Sequence, residues 1–176
     1  MHQLNSGDFQ AMSRLFTKYQ APMFGYFLKQ SFDRTLSQEL TQQLFIRVFE
    51  KRNSFSGKEG MFRPWMYRIA NNLWLDHIRR SGALKHSLTE LSDGHDPPGI
   101  DEQGFKEEDF LRLDQALQLL PAEEKQLLIL SKYQGLRYAE VAEIMEISEA
   151  AVKTRVHRAL KMLRTLFFSK PIKPVL

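Results

Sequence analysis

The 176-residue chain has no cysteine, which excludes a disulfide framework, a thiolate metal site and a cysteine nucleophile. That composition suits a reducing cytoplasm. No uninterrupted apolar run approaches the ~18 residues of a membrane span, and Met1 to Asp8 carry neither a basic nor an apolar signal segment. The expectation is a cytoplasmic protein without direct membrane insertion. A glycine-rich phosphate loop, a paired-carboxylate site and a Ser-His-Asp order are also missing. His77 beside Asp76 is no metal pair, because helix neighbours diverge by about 100° and no second ligand cluster accompanies them. These absences point away from an enzyme and call for no metal and no cofactor.

What is present is enough to build cores: 43% hydrophobic residues, with 13 Phe and 2 Trp. The net charge of +4 hides a basic, acidic, basic layout. Residues 1–86 hold 13 Lys+Arg against 6 Asp+Glu, residues 87–124 hold 2 against 11, and residues 125–176 hold 10 against 4. Two basic modules joined by an acidic segment point to a polyanionic partner, with nucleic acid first.

Apolar residues at three- and four-residue steps, Phe9, Met12, Leu15, Phe16, Tyr19 and Met23, predict a helix from Asp8 to Leu28, with Pro22 marking a break or a new first turn. A second helix is predicted over Ser37 to Lys51, a loop over Asn53 to Gly60, and a third helix to Arg80 with Pro64 in its first turn. Periodicity then fails from Ser81 to Asp109, where four of the nine glycines, Pro97-Pro98 and a run of acids read as a flexible linker. It resumes from Phe110 to Leu120 and again after Pro121, and Gly135 is placed to end that helix. A short helix from Tyr138 to Met145, a turn at Glu146-Ile147-Ser148 and a longer helix to about Phe167 complete the chain. The predicted fold is all-α: two small helical domains, 1–80 and 110–170, joined by a flexible acidic linker at 81–109 and followed by a tail at 171–176.

The last two helices carry the clearest chemistry. Small Ala139 and Ala142 permit a close crossing, as in a helix-turn-helix. Val152, Val156, Ala159, Leu160 and Leu163 form one stripe of the final helix. Opposite lie Ala150, Thr154, His157, Arg158 and Lys161, flanked by Lys153 and Arg155. A buried stripe backing a cationic, hydrogen-bonding arc suits a helix in the major groove, where bases are read by Arg, Lys, Thr or His and phosphates by flanking cations. The plainer alternative, a solvated basic face, explains neither the turn nor the small residues.

These residues carry a family resemblance. Tyr138-Ala-Glu-Val-Ala-Glu-Ile-Met, Ile147-Ser148 and Val152-Lys-Thr-Arg-Val-His-Arg-Ala159 resemble the promoter-binding domain of bacterial RNA polymerase sigma factors of the extracytoplasmic-function (ECF) group. Leu40-Thr-Gln-Gln-Leu-Phe-Ile-Arg-Val-Phe49 resembles the family's polymerase-docking helix, and Phe62-Arg-Pro-Trp-Met-Tyr-Arg-Ile-Ala-Asn-Asn72 its minus-ten-binding helix. The resemblance implies that bacterial RNA polymerase core enzyme and promoter DNA are the partners, with an anti-sigma factor as a candidate third. It places polymerase docking on Glu39, Leu40, Gln42, Gln43 and Arg47. It places minus-ten binding on Phe62, Asn71, Asn72, Asp76, Arg79 and Arg80, and minus-thirty-five binding on Arg137, Tyr138, Lys153, Thr154, Arg155, His157 and Arg158. The loop ahead of Phe62 would form a pocket for a flipped base, so Phe62 stands between stacking on DNA and packing, whereas Trp65 reads as core. Arg137 stands where the family has a Ser or Thr cap, which would remove an interaction of about 1 kcal/mol. A free-standing helix-turn-helix regulator is the rival reading, and it leaves the first module unexplained.

Overall fold

The structure, a computed structural model, describes residues 9–55, 61–81 and 107–169. Most of the loop expected to form the base pocket (56–60), most of the expected linker (82–106) and the expected tail (171–176) lie outside the described residues. The first unit comprises α1 (Phe9–Ser31), α2 (Arg34–Glu50) and α3 (Phe62–Ser81). The second comprises α4 (Glu107–Leu119), α5 (Ala122–Leu128), a π-helical turn (Ile129–Tyr133), α6 (Tyr138–Met145) and α7 (Glu149–Phe168). No strand occurs among the described residues. Residues 107–109, expected in the linker, belong to α4.

α1 differs from its sequence-based expectation. It runs unbroken through Pro22, whose ring is exposed, while Met23, Tyr26 and Phe27 just beyond it are fully buried. A proline inside a helix costs about 3 kcal/mol, and burying three large side chains outweighs that. Phe32, in the left-handed region at φ 55°, turns the chain sharply, and the Asp33 carboxylate caps α2 by accepting from the Leu36 N–H at 3.0 Å. Leu40, Leu44 and Val48 of α2 and Met66, Tyr67, Ala70 and Leu73 of α3 complete the first core.

In the second unit Leu127, Leu128, Ile129 and Leu130 are consecutive and fully buried. The π turn inserts one residue into this helix: the Gln134 N–H reaches the Ile129 carbonyl at 2.9 Å. Gly135, at φ 62°, then ends it with the left-handed conformation that glycine tolerates, as expected.

The two units pack together, α3 against α6 and α1 against the π turn, and their buried residues form one contiguous cluster. Polar contacts edge the junction. The Tyr67 hydroxyl donates to Gln134 Oε1 at 2.6 Å, Arg63 donates to the Gln134 carbonyl, Arg68 pairs with Glu146 at 2.8 Å, and Lys29 pairs with Asp114. Lys125 donates to the Gln30 carbonyl at 3.4 Å, and burial lowers its ammonium pKa. Beside these contacts lies a cavity of about 170 Å³ between Phe55, Met61, Pro64 and Trp65 of the first unit and Glu143 and Ile144 of α6.

Burial raises the Tyr67 hydroxyl from 10 to about 12. Its neutral form is therefore the one the fold favours. Its contribution is complete below pH 10 and is lost as the pH rises through 12, up to about 3 kcal/mol. The expected outcome is a denaturation midpoint that falls across pH 10 to 12, and falls less steeply in Tyr67→Phe. Parallel slopes for the two proteins would contradict this account of the junction.

Candidate nucleic-acid interface

The helix-turn-helix is built from α6 and α7. Between them Glu146 adopts the left-handed region at φ 56°, and Ser148 caps α7 by accepting from the Ala151 N–H at 3.1 Å. The capping deficit expected at Arg137 is partly filled from the other end. Glu140 reaches back and accepts from the Arg137 backbone N–H at 2.7 Å, which is half of a capping box. Val152, Val156 and Ala159 seat α7 on the core, at no more than 1% exposure. Leu160, expected in that stripe, is instead exposed.

On the far arc Lys153, Thr154, His157 and Arg158 are exposed together, and the Thr154 hydroxyl donates to the Ala150 carbonyl at 3.0 Å. Arg137 is exposed at the start of α6. Tyr138 is half-buried against the core, with the Lys132 ammonium 5.8 Å from its ring centre. Arg155 departs from the expected flank: its side chain is only 24% exposed and is held by Glu123 and Glu124 of α5.

In the first unit Asn72, Asp76, Arg79 and Arg80 recur at helical spacing on the outward side of α3. Asp76 joins two of the expected groups, lying 3.4 Å from Arg47 on α2 and 3.4 Å from Arg79. Asn71 is a correction. It falls in the same arc as Tyr67, Ala70, Trp74 and Ile78 and is 4% exposed, so with the two units packed together it faces the interior rather than the outward side of α3. Leu40 is another, because at 2% exposure it packs into the core rather than facing a partner. Phe62 is half-buried in an aromatic group with Tyr19, Phe55 and Trp65, at ring separations of 5.3–5.8 Å. His77 stacks on Trp74 at 5.8 Å, and no group of metal-binding side chains occurs among the described residues.

Glu39, Gln42 and Gln43 are exposed on α2, and Arg47 is partly so. Two residues not expected at this surface are Ile46, 59% exposed beside them, and Phe49 at the helix end, which lies under the Arg52 guanidinium at 4.2 Å. The signal was available: Leu44-Phe45-Ile46 with Val48-Phe49 carries more apolar residues than one helix face can bury.

Residues 15–83 match Sigma-70 region 2 and residues 110–163 match Sigma-70 region 4, in the order and on the helices just described. The chain belongs to the ECF group of bacterial RNA polymerase sigma factors. It is 32% identical over 133 residues to the ECF RNA polymerase sigma factor SigE of Mycolicibacterium smegmatis, covering 73% of this chain and 50% of that protein, so it spans about half the length of that relative. The RNA polymerase sigma-H factor of Pseudomonas aeruginosa is 25% identical over 186 residues, covering 100% of this chain and 93% of that one. CnrH, solved in complex with the cytosolic domain of CnrY, shares the fold at a TM-score of 0.72 and 20% identity, covering 97% of this chain and 96% of its own. RpoE of Bartonella quintana, solved with the anti-sigma factor NepR, does so at 0.69 and 19%, covering 92% and 99%. Sigma factors of this group are non-catalytic subunits that direct polymerase to promoters. No helix among the described residues is long and apolar enough to cross a membrane.

The sigma-factor setting sharpens the contrast between two neighbouring arginines. With its guanidinium tied to two carboxylates, Arg155 clamps α7 to α5. The expected effect of Arg155→Ala is a loss of about 1 to 3 kcal/mol in chemical denaturation, with the salt dependence of promoter binding unchanged. An unchanged stability together with a shallower salt dependence would return Arg155 to the phosphate-binding role.

Proposed function

We propose that the two units divide promoter recognition between them. α2 docks on core polymerase through Glu39, Gln42, Gln43 and Ile46. The Asn72, Asp76, Arg79 and Arg80 face of α3 engages and helps open the minus-ten element. α7 lies in the major groove of the minus-thirty-five element, where Lys153, Thr154, His157 and Arg158 meet base edges and phosphates, with Arg137 beside them. The observation that carries this reading is the exposed arc of α7 backed by the fully buried Val152, Val156 and Ala159. An anti-sigma factor is a further partner in this proposal, because CnrH and RpoE of the same fold were solved with CnrY and NepR respectively.

The two DNA elements lie about 25 base pairs apart, roughly 85 Å at 3.4 Å per pair. Packed against each other, the units cannot reach both. They therefore separate on the promoter, and the 25 residues from 82 to 106 are long enough to span the gap at about 3.5 Å each.

Two variants test the division of labour in transcription reconstituted with purified core enzyme. Ile46→Glu is expected to weaken core binding at least tenfold in a pull-down, with helical content unchanged because the side chain is on the surface. The double variant Asn72→Ala, Arg79→Ala is expected to retain core binding and to lose permanganate reactivity at the minus-ten element. Full core binding by the first variant, or wild-type strand opening by the second, would move that role to another surface.

A further inference from the structure

The first turn of α5 holds two acids, Glu123 and Glu124. Acids at a helix start ordinarily stay in water, where the helix dipole favours them, and Glu123 does. Glu124 does not: only 9% of its side chain is exposed. A buried carboxylate is costly unless paired and hydrogen-bonded, so its partners matter. They come from the helix assigned to the major groove. Arg158 donates through Nη2 to Glu124 Oε1, and Arg155, one turn earlier on the same side of α7, lies 3.8 Å from the same oxygen while donating to Glu123.

The two arginines are left in different states. Arg155 is mostly enclosed, whereas Arg158 keeps 61% of its side chain exposed despite its tether. A guanidinium has five donors in a fixed plane, so one tethered nitrogen sets the plane and leaves donors for an outside acceptor. A long arginine otherwise gives up considerable rotamer freedom when it docks. One held in place beforehand avoids much of that cost, which is what two-point recognition of guanine O6 and N7 requires.

We propose that Glu124 is a positioning residue for promoter reading: without touching DNA, it fixes the guanidinium of Arg158 in the plane from which that side chain reads a base pair of the minus-thirty-five element. The inference rests on the reading that α7 enters that groove, and it gives the acidic segment a role in specificity beyond helix capping.

The test uses the full chain with core enzyme on a library randomised at the minus-thirty-five element, scored as the ratio of transcription between promoters. A ratio is insensitive to the fraction of sigma that is folded, so lower stability in a variant does not imitate the effect. Arg158→Ala is expected to lose on the order of tenfold preference at one or two base pairs. Glu124→Gln is expected to lose preference at the same pairs and at no others, to keep core binding, to recover most of the preference as Glu124→Asp, and to change nothing further in the Arg158→Ala background. If Arg158→Ala alters preference while Glu124→Gln keeps it, or loses it evenly at every position, positioning is overturned and base reading by Arg158 stands. If Arg158→Ala itself leaves every preference intact, both are overturned.

Discussion

The rest of the architecture depends on the complete burial of Leu127, Leu128, Ile129 and Leu130. Four consecutive helical residues point in every direction around the axis, so such a segment has to be surrounded. The second unit supplies part of the enclosure through α6 and α7, and while the units are packed together α1 of the first unit closes the side at the π turn. The one-residue insertion at that turn brings Gln134 to Tyr67 and Arg63. Apolar burial holds the units together, and the polar contacts at its edge fix the register.

The charges are organised around the same packing. Acids that appear in the sequence as a block next to the linker pair with cations of the folded protein: Asp114 with Lys29, and Glu123 and Glu124 with Arg155 and Arg158. Farther along the chain, Glu146 pairs with Arg68. The exposed pairs among them, such as Arg68 with Glu146, contribute about 0 to 1 kcal/mol, and those on the buried Glu124 contribute more. Their consequence is selective: they engage some cations and leave Lys153 and Arg80 exposed on the surfaces proposed for DNA. Arg155 and Arg158 carry the same charge three residues apart, yet one is enclosed and the other presented.

Much of this was legible in the sequence, because apolar periodicity and local backbone chemistry are local signals. The positions of α2, α3, α6 and α7, the turn before Ser148 and the termination at Gly135 follow from spacing and from which residues tolerate which dihedral angles. Pro22 misled because helix propensity is local, while Met23, Tyr26 and Phe27 are held by the whole core. Motif resemblance assigned Asn71 and Leu40 to partners by position, whereas burial depends on the exact phase of a helix against its neighbours. The Arg155 pairs and the junction of the two units join residues distant in sequence, and no periodicity encodes which acid meets which base. Ile46 was visible as a surplus apolar residue, and only the three-dimensional packing shows it on the surface.

The division of one promoter between two separable helical units is the central claim, and crosslinking in a single complex tests it most directly. A photoreactive side chain placed at His157 on α7, and in a second preparation at Asn72 on α3, would be carried into the complex of core enzyme, sigma factor and promoter DNA. The account predicts that position 157 marks the minus-thirty-five element and position 72 the minus-ten element, on the same fragment and under the same conditions. Marks from both positions at one element, or none from position 157 in a complex that initiates transcription, would contradict it.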